Sequence, residues 1–593
     1  MAVSANFLYF CTQNRVRASK TEMKENTFDR LVRTALMRVS TVVVLICMAC
    51  GAAAQDVRNH NLEVAKNLER FNALYRNLDL MYVDTLDANE VVGNAIKAML
   101  RSLDPYTEYY PEEQQKDLKM MMTGKYAGIG ALVRYHQRLK RVVIDEPYAG
   151  MPAAEVGLRK GDVILKIDNL DVRDKDVSFV SEHLRGEPGT TFVLKVERPQ
   201  TGKKLSFKIT RRTIKMPEIT YYGMLNDSIG YIYLGTFSGE PAKQMRLAYL
   251  ELIQRGARRL VFDLRDNTGG SVAECVDIAS MWLPKDTRVV ETKGKIARAN
   301  TQYTTRVEPV DTLMPIAVLV NDETASASEI VSGAMQDLDR AVIIGTRTYG
   351  KGLVQVPNIE LPYNAVLKLT TSKYFIPSGR CIQAVNYKHT GGGYREHVAD
   401  SLTCVFHTVG GREVRDGGGI MPDVVIKPDT MSNITLYLNR LDSTETVFDF
   451  VTDYIQRHPT IAQPREFHLS DSDYDEFKQR VMKAGFTYDQ LSGKKYNELV
   501  DVARFEGYYD DAKAEFEVLK AKLDHHDLSR ELDRHRDEIC RMIEQHILAA
   551  YYYQAGQMEA AIQHDKVVAK ALELLTTPGA YQQILRGGDG GGQ

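Results

Sequence analysis

Ile316-Ala317-Val318-Leu319-Val320-Asn321-Asp322-Glu323-Thr324-Ala325-Ser326-Ala327-Ser328-Glu329 opens as an unbroken apolar run, passes through a polar turn and continues into an alanine- and serine-rich stretch. A short apolar run of this kind predicts a strand, followed by a helix near 327–338. The pattern repeats on either side. Gly230-Tyr231-Ile232-Tyr233-Leu234 precedes a helix near 240–255. Leu260-Val261-Phe262-Asp263-Leu264 precedes a glycine turn and a helix near 272–283, and Ala341-Val342-Ile343-Ile344 closes the series. Strands alternating with helices over 214–428 predict an α/β layer domain with a mixed sheet.

In open α/β sheets, functional groups collect where strands end and helices begin. Ser326 falls at such a junction, where unpaired backbone N–H groups and the helix dipole favour an alkoxide or an oxyanion. The same spacing, Ser326 with Glu329 three residues on, is also a capping box that needs no catalysis. A second junction, Gly345-Thr346-Arg347-Thr348-Tyr349-Gly350-Lys351-Gly352, is one residue short of a phosphate-binding loop. Gly352 stands where a magnesium-holding Ser or Thr is needed, and Leu353-Val354-Gln355-Val356-Pro357 continues as strand rather than helix.

No histidine lies between His183 and His389, so a serine nucleophile in this core needs another base. Lysine serves once burial disfavours its ammonium form. Lys351, flanked by glycines, can approach closely, and Gln355 can hold its amine by a hydrogen bond. Ala327 N–H follows the serine directly, and the Gly269-Gly270 turn after Asp263 can aim a second donor at an oxyanion.

Outside this core the character changes. Residues 56–120 predict helices, with Val64, Leu68, Phe71, Leu74 and Leu78 at helical steps and a second apolar series over 91–103 ending at Asp104-Pro105-Tyr106. Residues 121–213 carry short β-type runs separated by glycine turns. Residues 429–593 are helical, polar and tyrosine-rich, ending in a glycine-rich tail expected to fray. There Ala512, Phe516, Leu519 and Leu523, and Ile539, Met542, Ile543, His546 and Ile547, form stripes read as bundle core, with a dimer face or substrate cradle as the alternative. Met37-Arg38, the uncharged apolar run to Ala54 and the Ala52-Ala53-Ala54-Gln55 exit make a secretory signal, so 1–54 is an N-terminal extension plus signal peptide with translation starting at Met37.

The chain has 593 residues, 44% hydrophobic and 26% charged, which excludes disordered, collagenous and coiled-coil classes. Lys plus Arg at 76 against Asp plus Glu at 78 leaves no basic excess for nucleic acid. Seven cysteines are too sparse for a disulfide scaffold; without 1–54 only Cys275, Cys381, Cys404 and Cys540 are left, with no CxxC or zinc spacing, and neither metal nor cofactor is expected.

Taken together these segments resemble the C-terminal processing peptidases, or tail-specific proteases. The resemblance is carried, in order, by Leu103-Asp104-Pro105-Tyr106-Thr107, Gly124 to Gly130, Gly157-Leu158-Arg159-Lys160-Gly161-Asp162, Asp263 to Gly270, Thr324 to Glu329, Gly350-Lys351-Gly352 with Gln355, and Asp416 to Asp423. It implies a multidomain α+β chain: an N-terminal helical region, a PDZ domain over 121–213, an α/β serine protease core over 214–428 and a helical C-terminal extension. It assigns Ser326 as nucleophile, with Ser328 the lesser candidate, Lys351 as general base and Gln355 as the residue orienting the lysine. Ala327 and Gly270, or Gly269, then supply the oxyanion hole. Ala127, Gly128, Ile129 and Gly130 offer N–H groups to a substrate's terminal carboxylate, and Arg185 resembles an arginine that couples peptide binding to the core. Two features depart from the family: Thr268 stands where proline is common, and 430–593 has no counterpart in its minimal members.

The expected activity is that of an exported endopeptidase of the periplasm or cell envelope, taking polypeptides with unstructured C-termini and no nucleic acid. The alternative is a catalytically silent PDZ scaffold that only binds peptide tails. A homodimer or adaptor contact through the helical regions, and peripheral association with a membrane, stay open.

Overall fold

The computed structural model describes residues 59–115, 118, 125–199, 201–215, 217–384, 400–427, 429–441, 444–524 and 527–587. The signal segment and the last six residues, named above, lie outside them. The chain divides into two units, 1–96 and 97–593. In the first, a helix spans 59–81 (α1), and α2 (Ala88–Arg101) begins. The predicted stripe of Val64, Leu68, Phe71, Leu74 and Leu78 lies on α1, and all five are exposed.

Past α2 the helical expectation gives way over 104–110 to a turn and a strand, β1 (Glu108–Tyr110), and a 3-10 turn follows at Glu112–Gln114. Pro105 has no N–H to continue a helix. Asp104 Oδ1 accepts the N–H groups of Tyr106 and Thr107, both at 2.8 Å, which turns the chain into the strand.

Residues 125–215 form an antiparallel β unit. β2 (Lys125–Gly128) pairs with β9 (Arg212–Lys215). The main sheet runs β3 (Ala131–His136), β4 (Arg141–Pro147), β5 (Val163–Ile167), β7 (Thr191–Arg198), β8 (Lys203–Thr210), with β6 (Leu170–Asp171) paired to β5. The alternation in β7, with Phe192, Leu194 and Val196 inside and Thr191 and Lys195 outside, sets its register against β8. Helix α3 (Val177–Leu184), capped by Asp176 at the N–H of Phe179, contributes Val180 and Leu184 to the same core.

The central sheet follows the order β10 (Ile219–Met224), β11 (Ile229–Leu234), β12 (Arg259–Asp263), β15 (Ile316–Val320), β16 (Val342–Gly345), β19 (Val424–Val425). Only the β10–β11 pair is antiparallel, so the sheet is mixed, as the alternation predicts. Helices α4 (Pro241–Gln254), α5 (Val272–Ala279) and α6 (Ala327–Asp337) share the core on one face with Ile232, Phe262, Val318 and Ile343. A second sheet, β1–β18–β13–β14 with β17 on β18, brings β13 (Arg288–Gly294), β14 (Thr301–Thr304), β17 (Leu353–Glu360) and β18 (Val366–Phe375) together.

The C-terminal region is helical and has its own core, with Phe450 on α7 (Thr446–Arg457), Phe477 on α8 (Asp471–Ala484) and Ile539, Ile543 and Ile547 on α9 (Arg536–Ala561). The stripe on α9 is thus bundle core, whereas Leu519 of the other stripe is exposed. The helical region does not stand apart from the α/β core. Val568, Ala571, Leu574 and Leu575 of α10 (Lys566–Thr576), with Tyr581 of α11 (Ala580–Leu585), cover the second face of the central sheet against Tyr231, Val261, Ala317, Leu319 and Ile344. A sheet with wholly apolar strands needs both faces covered, and the chain returns from the bundle to do it. Among the described residues no helix is long and apolar enough to cross a membrane.

Candidate active site

Ser326 sits between β15 and α6 with φ 58° and ψ −115°, a strained conformation for a residue with a side chain. Its N–H donates to Glu329 Oε2 at 2.8 Å, so half of the capping box exists. The Glu329 carboxylate does more than cap. It is wholly buried, and it also accepts Lys351 N–H at 2.9 Å on Oε2, and Gly350 N–H (2.7 Å) and Thr348 Oγ1 (2.6 Å) on Oε1. Burial pushes its carboxyl upward, against the pull of these four donors. Tyr374, buried on β18, adds a second tie. Its hydroxyl lies 2.5 Å from Lys351 O and 3.2 Å from Ser326 O.

The two glycines beside Lys351 are required by their neighbours. A Cβ on Gly350, which has φ +84°, would stand 2.3 Å from Ala384 Cβ, and one on Gly352 would stand 2.8 Å from Gln383 N. The lysine amine is drawn toward neutrality, its pKa lowered to about 8 chiefly by burial and next by Lys368. The amine lies 4.3 Å from the centroid of the Tyr106 ring. Among the described residues no hydrogen bond joins it to Ser326.

Gln355 is placed differently from its expected role. Its Nε2 donates to Thr370 Oγ1 at 3.1 Å, not to the lysine. A register irregularity between Val354 and Gln355 on β17 accompanies this placement. Ser328, the lesser nucleophile candidate, is buried with its hydroxyl given to Asn267 O at 2.9 Å.

The glycine turn after β12 meets the serine directly. A Cβ on Gly269 would lie 2.8 Å from both Ala327 N and Ser326 Cβ. Gly269 N–H is already taken by Asn267 Oδ1 at 2.9 Å, whereas Gly270 N–H has no acceptor among the described residues. Asn267 is buried, donates to Leu234 O at 2.7 Å, and its carbonyl accepts Ala325 N–H, so it fixes the turn that Thr268 leaves without a proline.

At the far end of the β unit, Ile129 and Gly130 carbonyls accept the N–H groups of Ala153 and Tyr148, and Ala127 O accepts that of Gly186. Arg185 follows α3 and holds its guanidinium 5.5 Å from the Tyr126 ring centroid, beside Gly128. Strand β3 is one edge of its sheet, β8 the other. Sequence reasoning missed three participants: Tyr374, the bridging role of Glu329 and the Tyr106 ring. For Glu329, its place three residues after Ser326 was a signal, read there only as a cap. For Tyr374 there was none, since an aromatic on a strand is ordinary core.

Residues 228–389 match the family model "Peptidase family S41", 143–198 match "PDZ domain", and 437–575 match "Probable PDZ-protease, C-terminal helical domain". The last gives the C-terminal extension a recognised counterpart. A "Carboxy-terminal-processing protease" of Bartonella bacilliformis is 34% identical over 362 residues, covering 60% of this chain and 81% of the relative. A "Carboxyl-terminal-processing protease" of a Picosynechococcus species is 35% identical over 297 residues, covering 49% and 69%. The solved photosystem II D1 C-terminal processing protease is 26% identical, covering 60% and 86%, with a TM-score of 0.34. With a serine at a strained strand–helix junction and relatives of this identity and coverage, the chain belongs to the carboxy-terminal-processing proteases, serine-type peptidases of family S41.

Proposed function

We propose that this peptidase is an exported endopeptidase that cleaves polypeptides with unstructured C-termini through a Ser326/Lys351 dyad. Ser326 Oγ attacks the scissile carbonyl carbon while neutral Lys351 Nζ takes its proton. The oxyanion is received by the N–H groups of Ala327 and Gly270. Collapse of the tetrahedral adduct passes the proton from Lys351 to the leaving amine and leaves an acyl-enzyme. Water then attacks the ester, Lys351 again taking the proton, and Ser326 is restored. The observation that carries this reading is the single Glu329 carboxylate bonded to both the Ser326 and Lys351 amides, beside a lysine whose ammonium form burial disfavours.

The open edge of β3 beside α3 supports capture of a peptide tail as an added strand, its carboxylate meeting the end of β2 and the turn after it, Ala127, Gly128, Ile129 and Gly130. Arg185, next to that turn, is the coupling candidate. Export rests on the signal pattern ahead of Gln55. The test compares wild type with Ser326→Ala and Lys351→Ala on an unstructured reporter protein ending in an apolar or a charged tail. Cleavage by wild type alone, faster for the apolar tail, supports the reading. Cleavage that survives Ser326→Ala overturns the nucleophile assignment, and silence from all three with tail binding retained points to the scaffold.

A further inference from the structure

Lys351 is held by its backbone from Glu329 and Tyr374, but its amine meets a different part of the chain. Tyr106 lies on the turn that precedes β1, ahead of the PDZ region in sequence, and its ring faces Lys351 Nζ at 4.3 Å. Its hydroxyl is 3.3 Å from that of Tyr349, two residues before the lysine. The turn itself is built to hold this ring still. Asp104 binds the backbone of Tyr106 and Thr107 and the Thr107 hydroxyl. Thr107 Oγ1 in turn accepts Thr370 N–H at 3.2 Å, and Thr370 Oγ1 accepts from Gln355. Three antiparallel pairs, Glu108↔Lys368, Tyr109↔Leu367 and Tyr110↔Val366, then fasten the segment to β18. The Glu108–Lys368 ion pair, 2.8 Å, closes the same edge.

We propose that Tyr106 is a positioning residue for the catalytic base: its ring face holds the Lys351 amine, making the segment ahead of the PDZ region a working part of the protease centre. The proposal rests on the reading of Lys351 as that base. It also gives Gln355 a second-hand role, since Gln355 reaches the lysine's neighbourhood through Thr370 and Thr107 rather than by touching the amine. Besides Tyr106, the groups acting on the amine are Lys368 from β18, Glu329 from α6, and Asp104 and Glu108 from the same turn and strand. An aromatic face attracts an ammonium and not a neutral amine. Loss of the ring with the apolar cover kept therefore favours the neutral amine and moves the acid limb of the activity profile to lower pH.

The experiment measures kcat and KM against pH on the full chain with the unstructured reporter, for wild type, Tyr106→Leu, Tyr106→Phe and phenylalanines of increasing fluorination at 106, with Lys351→Ala as reference. Tyr106→Leu is expected to lower kcat about tenfold or more with KM little changed, from a misplaced base. Its acid limb should move down by about 0.5–1 pH unit. Tyr106→Phe should recover most of the lost kcat, and fluorination, which keeps the shape of the ring and drains its face, should move the limb down in steps. A limb that stays at the wild-type pH through the fluorinated series overturns the proposal, as does a Tyr106→Phe loss equal to that of Tyr106→Leu. Activity surviving Lys351→Ala overturns the base assignment itself, and the proposal with it.

Discussion

Ser326 and Lys351 donate their backbone N–H groups to the same oxygen, Oε2 of the buried Glu329, at 2.8 and 2.9 Å. Residues 25 positions apart in the chain thereby share one anchor, and Tyr374 spans their carbonyls from the other side. The relative placement of the two backbones is fixed by groups that need never touch a substrate.

Glu329→Gln is expected to break this anchor while preserving its shape. An amide presents one acceptor oxygen where the carboxylate presents two, so its NH₂ faces N–H donors. A buried donor left unpaired costs about 1–3 kcal/mol, and the midpoint of denaturant unfolding should fall accordingly. Activity should fall further than that stability loss explains at temperatures where the variant is still folded. An unaltered kcat in folded Glu329→Gln would show that the shared anchor is not needed.

Lys351 has a pKa lowered by burial to about 8, so two pH effects follow with defined signs. Neutral lysine is the active form, and kcat should rise with pH to a plateau above about 8. In stability the unfolded chain keeps its proton to higher pH than the folded one, so stability rises with pH from about 8 toward the ordinary lysine value. Lys351→Met should abolish cleavage yet stabilise the fold by about 1 kcal/mol at neutral pH, as removal of a buried charge does. That advantage should shrink as pH climbs through the window, which melting curves for both proteins would read directly.

Gly269→Ala places a methyl group 2.7–2.8 Å from Ala325 O, Ala327 N and Ser326 Cβ, at a φ of +98°. The turn must back away, and the oxyanion donors move with it. Loss of one such donor costs about 10²–10³ in kcat, and Gly269→Ala should fall in or beyond that range with tail binding retained. Equal losses in kcat and in binding would argue for a wider collapse.

Much of this was legible in the chain itself, for reasons particular to each element. The central strands were plain because Ile316–Val320 and Ala341–Ile344 are apolar on both alternations, as only a doubly covered strand is. The PDZ strands were plain because Phe192, Leu194 and Val196 alternate with exposed residues. The fate of 104–110 was hidden because the turn is made by one aspartate accepting two N–H groups, a local bond that competes with helix and leaves no periodicity. The role of 566–585 was hidden for another reason. Its stripe of Val568, Ala571, Leu574 and Leu575 is ordinary amphipathic helix, and nothing in the stripe says which sheet it will cover.

That covering makes a prediction of its own. Leu574→Ala opens a cavity between α10 and the central sheet, far in sequence from the catalytic residues, and should cost about 2–5 kcal/mol. Asp565, which caps α10, also pairs with Arg265 at 2.6 Å, and Arg265 holds Asp263 at the end of β12, just ahead of the oxyanion turn. Truncation before residue 562 should therefore yield protein that fails to fold as a soluble core. A soluble, cleaving 56–561 fragment would contradict this.

Phe448 tests how the PDZ region is held. It begins α7 in the helical region, yet it packs against Val143 and Val163 of the PDZ sheet in a small cluster of their own. Arg134 and Lys160 set their cations 4.9 and 5.0 Å from its ring centroid, and the His136 ring meets it edge-on at 5.8 Å. Glu445, three residues before it, pairs with Arg134, and the adjacent Asp449 meets His136 and Arg138. The exposed Arg138–Asp449 pair holds little by itself, whereas the buried Glu445 carboxylate, which accepts Arg134 and the N–H of Gln137, shares the attachment with the aromatic plug. Phe448→Ala should speed amide exchange in β3, β4 and β5 while leaving the central strands β12 and β15 protected. Phe448→Leu, which keeps apolar contact but loses the ring face, should fall between the two. If exchange in β3–β5 is the same in all three proteins, Phe448 is not the clamp, and the Glu445 and Asp449 contacts or the β2–β9 pairing hold the PDZ region instead.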